Sequence, residues 1–573
     1  MQNKSRRRKK RSDFPLLMIV SAVILVFFIG VFLVHTYSPS KEKMRLTDYF
    51  ALAKKDDVAV ILNGEYKRAK TKDISYAKYI DKKIYISINF IKQNIDDGYV
   101  YDSTEGILRY VTDKNVISVN KDKDFYFIDK NIQKTPGIIL KEIQGEAYID
   151  ITWIKNYTDI KFYEKNDPRR VVIDIAGFQN NVSEVIRNAQ VRRFGGIKSK
   201  ILSEVQKGEK VTILDNYGKW SKILTKNGVI GCVQNKALSD VKKEIVRESL
   251  KKRVFRHKKF NKKIVLVWDQ VGGAAANANI SAKLDEMKGV NVVSPTWFYI
   301  QDIKGNVGTR SSIDYVNKCH AKGIQVWGLI SNFENKNVDA GAALKGTSSR
   351  DNLVNQTVAA AIASNLDGIN VDFEGVTPDE KDGYLEFIKE LSLKCKKNDI
   401  YLSVDNYVPT QYTHFYSRKV QADYADYIIV MAYDEHFGGS KKAGSVASFP
   451  FVKRGVKETL KEVPKNQMVL GLPFFTRIWA EKGNEVSSKS LGMNDALTNL
   501  KSNKAEIKWL SKEQQNYGEY KKGDKVYKCW LEDTKSLGRK INLVKDEKLA
   551  GAAFWKKGLE SNDVWALVEQ IAK

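Results

Sequence analysis

From Asn261 to the C-terminus, short apolar runs alternate with helix-length polar and amphipathic segments, and this rhythm limits the fold more than any other feature of the chain. The runs are Ile264–Trp268, Asn291–Phe298, Ile324–Ile330, Gly368–Phe373, Ile400–Val404, Tyr427–Tyr433, Met468–Leu472 and Ala550–Trp555. Continuously apolar strands are buried on both faces, and strands separated by helices pair in parallel. Eight such units predict an α/β fold, a closed (β/α)8 TIM barrel. An open doubly wound sheet is the alternative, and it requires a glycine-rich phosphate turn after the first strand. Val271-Gly272-Gly273-Ala274 stands there without the third glycine or the downstream acid. The stretch from Phe474 to Lys548 is longer than one connecting helix needs and predicts a small α+β insertion before the last strand.

In such barrels the chemistry collects at the carboxyl ends of the strands. Trp268-Asp269-Gln270 closes the first, Ser294 to Phe298 the second, Met431-Ala432-Tyr433-Asp434 the sixth and Trp555 the eighth. The fourth is the most informative. Along Asp367–Glu374 alternate side chains share a face, so Asn370, Asp372 and Glu374 project one way and Ile369, Val371 and Phe373 the other. Two neighbouring carboxyls push each other's pKa apart, which yields a protonated acid beside an ionised partner near neutral pH. A solvated surface strand is the competing reading of that spacing alone. Aromatic rings beside carboxyl groups suit a sugar-binding groove, where rings stack on pyranose faces and an acid reaches the glycosidic oxygen.

Leu366 to Val376 resembles the DGxDxDxE strand of family 18 glycoside hydrolases. Met431 to Asp434 resembles that family's sixth-strand Met-x-Tyr-Asp, and Trp555 its eighth-strand tryptophan; the resemblance runs from Lys263 to Lys573. It implies a retaining, substrate-assisted mechanism. Glu374 would protonate the leaving oxygen and later act as base, while the substrate's own acetamido carbonyl attacks the anomeric carbon. Asp372 would orient the acetamido N–H, Tyr433 would hold its carbonyl, and Trp555 would floor the subsite. Asn370, Met431, Asp434, Trp297 and Arg477 are further expected substrate contacts, with Glu532 another candidate. Asn370 stands where many chitinases have aspartate, which alters the internal aspartate relay. No cofactor is called for, and the five histidines and four cysteines form no metal-ligand pattern.

Ahead of the barrel, Lys4, Arg6, Arg7, Arg8, Lys9, Lys10 and Arg11 precede an uncharged run, Phe14 to Val34. As a helix that run spans roughly 30 Å, the thickness of a bilayer core. Basic residues stay inside, which predicts a signal anchor over 14–34 with residues 1–13 cytoplasmic and the rest outside the cell membrane. A cleaved signal peptide is the alternative. Residues 44–178 are strand-rich and contain an echo, Tyr85–Ile91 against Tyr148–Ile154, that suggests a duplicated α+β unit. The segment resembles the tandem copper amine oxidase N-terminal-like domain, without a copper-ligand cluster. Residues 183–240 have the short-strand cadence of a bacterial SH3-like barrel, with Trp220 expected in its core and Cys232 where tyrosine is common. Residues 241–260 are heavily basic and read as a solvated linker before the catalytic barrel at 261–573.

The net charge of +28 attracts polyanions. Nucleic acid is disfavoured, because no zinc spacing, ribonucleoprotein motif or basic recognition helix is present; an anionic cell wall suits the charge. The scattered cysteines are expected as free, buried thiols. Together these features predict a membrane-anchored glycosidase that cuts β-1,4 bonds of N-acetylglucosamine-containing wall polymer, peptidoglycan. A chitinase on chitin oligomers and a non-catalytic wall-binding lectin are the alternatives.

Overall fold

The computed structural model describes residues 14–69 and 74–572, so the basic tail read over residues 1–13 lies outside the described residues. The chain divides into two compact units, Met1–Asp97 with Gly137–Lys252, and Gly98–Pro136 with Arg253–Lys573.

In the second unit all eight expected runs are strands: Ile264–Asp269, Val292–Ile300, Gln325–Ser331, Gly368–Asp372, Tyr401–Tyr407, Tyr427–Met431, Met468–Pro473 and Gly551–Trp555. Each lies parallel to the next, and the eighth pairs with the first to close the barrel. That closure is tight, since a Cβ on Gly551 would fall 2.0 Å from the Ile264 carbonyl oxygen. Period two turns Trp327, Tyr401 and Tyr427 inward, where their rings stack with centroids 5.2 to 6.4 Å apart. Gly368 makes room for them, because a Cβ there would lie 2.6 Å from the Trp327 indole. Ile264, Leu266, Val292, Leu329, Ile429, Val469 and Ala553 complete this plug, so the barrel's lower half is packed solid. The opposite faces of the strands meet the helices; Phe373 stacks on Phe387 at 5.1 Å. The expected insertion is a five-stranded sheet between Phe475 and Trp530 with the helix Met493–Ser502, and the chain returns through the helix Thr534–Asp546.

Residues 98–136 depart from expectation. They form a five-stranded antiparallel meander from Val100 to Lys134 that packs on the barrel helices Thr347–Ala363, Lys381–Lys397 and Arg418–Tyr424. Val111 is buried with Leu393 and Tyr424. Asp102 Oδ2 accepts from the Thr347 amide at 2.8 Å, at a helix N-terminus that favours negative charge, and Arg109 pairs with Asp351. Tyr424 donates its hydroxyl to the Val111 carbonyl at 2.9 Å. The expected continuous domain over 44–178 is therefore divided, its middle belonging to the second unit.

The basic segment 241–260 is solvated along its length, with none of its residues buried, but it is fastened at intervals. Lys242–Ile245 pairs antiparallel with residues 179–182, and further on Phe255 lies 4.9 Å from the Tyr424 ring while the Lys258 amide donates to Asp426 at 2.6 Å.

In the first unit the helix Phe14–Tyr37 is long and apolar enough to cross a membrane. The internal echo folds as a pseudo-twofold. Lys83–Ser87 and Glu146–Asp150 pair antiparallel about Ile86 opposite Ile149, equivalent positions of the two copies. Ser87 and Asp150, equivalent again, each cap the helix that follows. Their side chains also make matching crossed contacts, Ser87 to Glu146 and Asp150 to Lys83, the latter at 2.9 Å. The SH3-like region is a seven-stranded sheet whose core is Val185, Val191, Val205, Val211, Ile223 and Val233. Trp220 is not in that core; it is half-buried against the backbone of Gly195, where a Cβ would come within 3.2 Å of it. All four cysteines are free and buried.

Candidate active site

The fourth strand carries Asn370, Asp372 and, just beyond its end, Glu374 up the barrel interior. Asn370 is lowest and wholly buried. Its Oδ1 accepts from Trp268 Nε1 at 2.9 Å and Ser294 Oγ at 3.1 Å, and its Nδ2 donates to Ser403 Oγ at 3.0 Å and Asp405 Oδ1 at 2.8 Å. Four bonds of two kinds match an amide and would not suit an ionised carboxylate, which only accepts. Asn370 is thus a strut beneath the site, and the expected substrate contact is corrected on that ground.

The acid missing from position 370 appears one strand over, at Asp405 on the fifth strand. Asp372 and Asp405 are both buried, and among the described residues neither Asp372 Oδ1 nor Asp405 Oδ2 has a hydrogen-bond partner. Burial first, then the charges of Asp405 and Glu374, hold the Asp372 carboxyl well above the usual range. Burial also raises Asp405; the bond from Asn370 opposes this, and the charge of Glu374 adds to it. These directions favour retention of a proton at neutral pH.

Glu374 sits at the rim, its backbone clamped by Asn332. The Glu374 amide donates to Asn332 Oδ1 at 2.8 Å, and Asn332 Nδ2 donates to the Glu374 carbonyl at 2.7 Å. Tyr407 donates its hydroxyl to Glu374 Oε2 at 2.7 Å. Burial raises the Glu374 pKa, the Tyr407 bond lowers it, and the charge of Asp434 raises it, with a net upward result. A half-buried carboxyl with a raised pKa is the proper state for a general acid.

Asp372, Glu374, Met431, Tyr433, Asp434 and Trp555 together line a cavity of about 230 Å³, with Asp405, Trp268, Thr296, Phe333 and Glu334. Trp555 lies edge-on to Trp268 at 5.9 Å. Asp434, in the left-handed region at φ 57°, turns the chain outward from the sixth strand. Arg477, on the first strand of the insertion, donates to Ser488 Oγ at 3.2 Å and sets its charge against Asp434. It stands beside the cavity.

Two expected contacts lie elsewhere. Trp297 is fully buried on the outward face of the second strand, crossing Tyr315 edge-on at 5.0 Å and donating Nε1 to Asn277 Oδ1 at 2.9 Å. Thr296, its neighbour, is the residue that faces in. Glu532 is buried against Lys540 at 2.5 Å and holds the insertion to its return helix. Asp405, Tyr407 and Asn332 are the residues the sequence reading missed. For the first two the signal was present, since Ser403, Asp405 and Tyr407 alternate along the fifth strand as the acids do along the fourth.

A parallel barrel with buried carboxyls and aromatic rings in a cleft at its strand ends has the form of a barrel glycosidase. Residues 292–560 match glycosyl hydrolases family 18, and residues 187–239 match the bacterial SH3 domain. The catalytic unit is a family 18 glycosidase, carried on the same chain as a bacterial SH3 domain. The chain is 28% identical to the uncharacterized glycosylase YvbX of Bacillus subtilis over 287 residues, 47% of this chain and 80% of that protein. It is 23% identical to the cortical fragment-lytic enzyme of Bacillus subtilis over 38% of its own length and 52% of that protein, so it spans about half of that relative. The crystal structure of the Bacillus cereus spore cortex-lytic enzyme SleL shares the fold, with a TM-score of 0.50 at 17% identity over 58% of this chain and 77% of that one.

Proposed function

We propose that the barrel hydrolyses β-1,4 bonds of an N-acetylglucosamine-containing cell-wall polymer, peptidoglycan, with retention and with the substrate's acetamido group as nucleophile. The observation that carries this reading is the unequal state of the two acids. Glu374 is at the rim, held through Oε2 by Tyr407, where it can protonate a leaving oxygen. Asp372 is enclosed beside Asp405 with Oδ1 unpaired, which suits it to accept a substrate N–H and ill suits it to attack carbon. Tyr433 at the cavity wall would hold the acetamido carbonyl, and Trp555 would support the ring of the cleaved sugar. Met431 and Asp434 would border the same subsite, and Arg477 would steady Asp434 from the side.

Peptidoglycan is favoured over chitin by the apolar N-terminal helix, read as an anchor with the following domains outside the cell, and by a net charge of +28 that suits an anionic wall. The SH3 domain and the duplicated module, which resembles the copper amine oxidase N-terminal-like domain, would serve wall contact and spacing. Digestion of purified peptidoglycan and of chitin oligomers, with mass spectrometry of the new reducing ends, tests the reading. N-acetylglucosamine ends from peptidoglycan, abolished by Glu374→Gln, are expected. N-acetylmuramic acid ends would refute the bond preference, cleavage of chitin alone would refute the polymer, and binding without cleavage would make the protein a lectin.

A further inference from the structure

The SH3 domain is fastened to the end of the apolar helix. Only Ser38 and Pro39 separate the helix end at Tyr37 from Ser40, whose amide donates to the Ile197 carbonyl at 2.8 Å. The Met44 amide then donates to the Ile201 carbonyl at 2.8 Å, and the Ile201 amide returns a bond to Glu42 at 2.8 Å, so residues 40–44 lie along the strand Ile201–Val205 as a short parallel extension. Arg192, itself buried, donates Nη2 to the Ser40 carbonyl at 3.0 Å, and Lys198 Nζ donates to the carbonyl of His35 inside the helix. The three Cα–Cα steps from Tyr37 to Ser40 reach no further than about 11 Å. If the helix spans a bilayer, this loop lies at the headgroups.

The chemistry of the loop fits that place. Phe194 is 64% exposed at its tip, with the Arg193 guanidinium 5.0 Å over its ring. Arg193, Lys198, Lys200, Lys41 and Lys43 are exposed, and Glu42 is the one carboxylate in residues 38–45 and 192–200. An exposed aromatic ring among cations, bonded to the end of an apolar helix, matches the pattern by which proteins hold anionic lipid.

We propose that the Arg192–Lys200 loop, together with residues 38–45, binds anionic phospholipid headgroups and pins the SH3 domain to the bilayer surface. This rests on the reading of the N-terminal helix as an anchor. The occupant is a phospholipid, because the loop is bonded to the chain at the helix end, where headgroups are the nearest anions.

The test is a nitroxide on the full chain reconstituted in nanodiscs. Gly196→Cys provides the reporter: a Cβ there meets nothing within 4 Å, and the four native thiols are buried. In discs containing phosphatidylglycerol the label should be more accessible to oxygen and less to a soluble nickel chelate than in discs of phosphatidylcholine alone. Phe194→Ser with Arg193→Ser and Lys198→Ser should erase that difference, and so should high salt. Equal nickel access in both discs, unmoved by those substitutions, would overturn the proposal and leave the patch facing water or an anionic wall polymer. A second label at Val26→Cys, mid-helix, separates the two readings. Nickel access at Val26 refutes the anchor and the proposal together; a lipid-embedded Val26 with an aqueous Gly196 refutes the proposal alone.

Discussion

Tyr407→Phe removes one hydroxyl from the site and little else. The ring keeps its place against Tyr416, 5.8 Å away, and the losses are the 2.7 Å bond to Glu374 Oε2 and a long 3.3 Å bond from the Gly375 amide. The Glu374 bond strengthens as the acid gives up its proton, so it is worth most when the leaving group departs. Hydrogen bonds to charged groups contribute about 1.5–3 kcal/mol. If all of that appears in the transition state, kcat falls by about 10- to 150-fold, which is the ceiling. Two signatures set this apart from general damage. The bond lowers the Glu374 pKa, so its loss raises that pKa and moves the alkaline limb of the kcat–pH profile to higher pH. An aryl glycoside whose phenolate leaves without protonation should also lose less than the polymer. Equal losses on both substrates with an unmoved alkaline limb would refute the assignment of Tyr407 as the positioning residue for the acid.

Three other outcomes follow from the same geometry. Asp405→Asn should cut kcat through Asp372 yet raise stability at pH 7, on the order of 1–3 kcal/mol, because it removes an enclosed carboxyl. Asp405's folded-state pKa is raised, so its penalty is absent below the unfolded carboxylate value and grows as pH rises; the Tm advantage of the variant should therefore close as pH falls towards 4, and a constant difference would contradict the coupling. Lys540→Met strands the buried Glu532 carboxylate and should cost about 3–5 kcal/mol by denaturant unfolding, with kcat per folded molecule unchanged. Arg109→Met, at the meander, should lower the catalytic unit's Tm by calorimetry without moving KM, whereas a change in KM would tie the meander to substrate binding.

The barrel was legible because its strands are short, apolar and evenly spaced, and the acids of the fourth strand because alternation puts them on one face. Trp297 went astray at the same step. It stands at a strand end, but Ser294 and Thr296 are the inward pair, so period two sends the indole out to Tyr315. Asp405 and Tyr407 were lost because the fifth run was closed at Val404, where its apolar stretch stops but its alternation continues. Asn332 reaches Glu374 across 42 residues and leaves no local pattern. The docking of residues 98–136 was invisible for the same reason, since Val111 meets Leu393 and Tyr424 only through the fold. Trp220 was placed by analogy, and a core already filled by valines left it outside.

The meander gives the molecule an unusual wiring. The chain passes between its two units three times, at 97/98, 136/137 and 252/253, so the catalytic unit is stitched in and does not hang from a single tether. A protease that cuts after Lys252 would leave the barrel still gripping residues 98–136, which remain joined to the first unit at both ends. Separating the catalytic unit from the first unit takes three cuts, or one cut and an undocking.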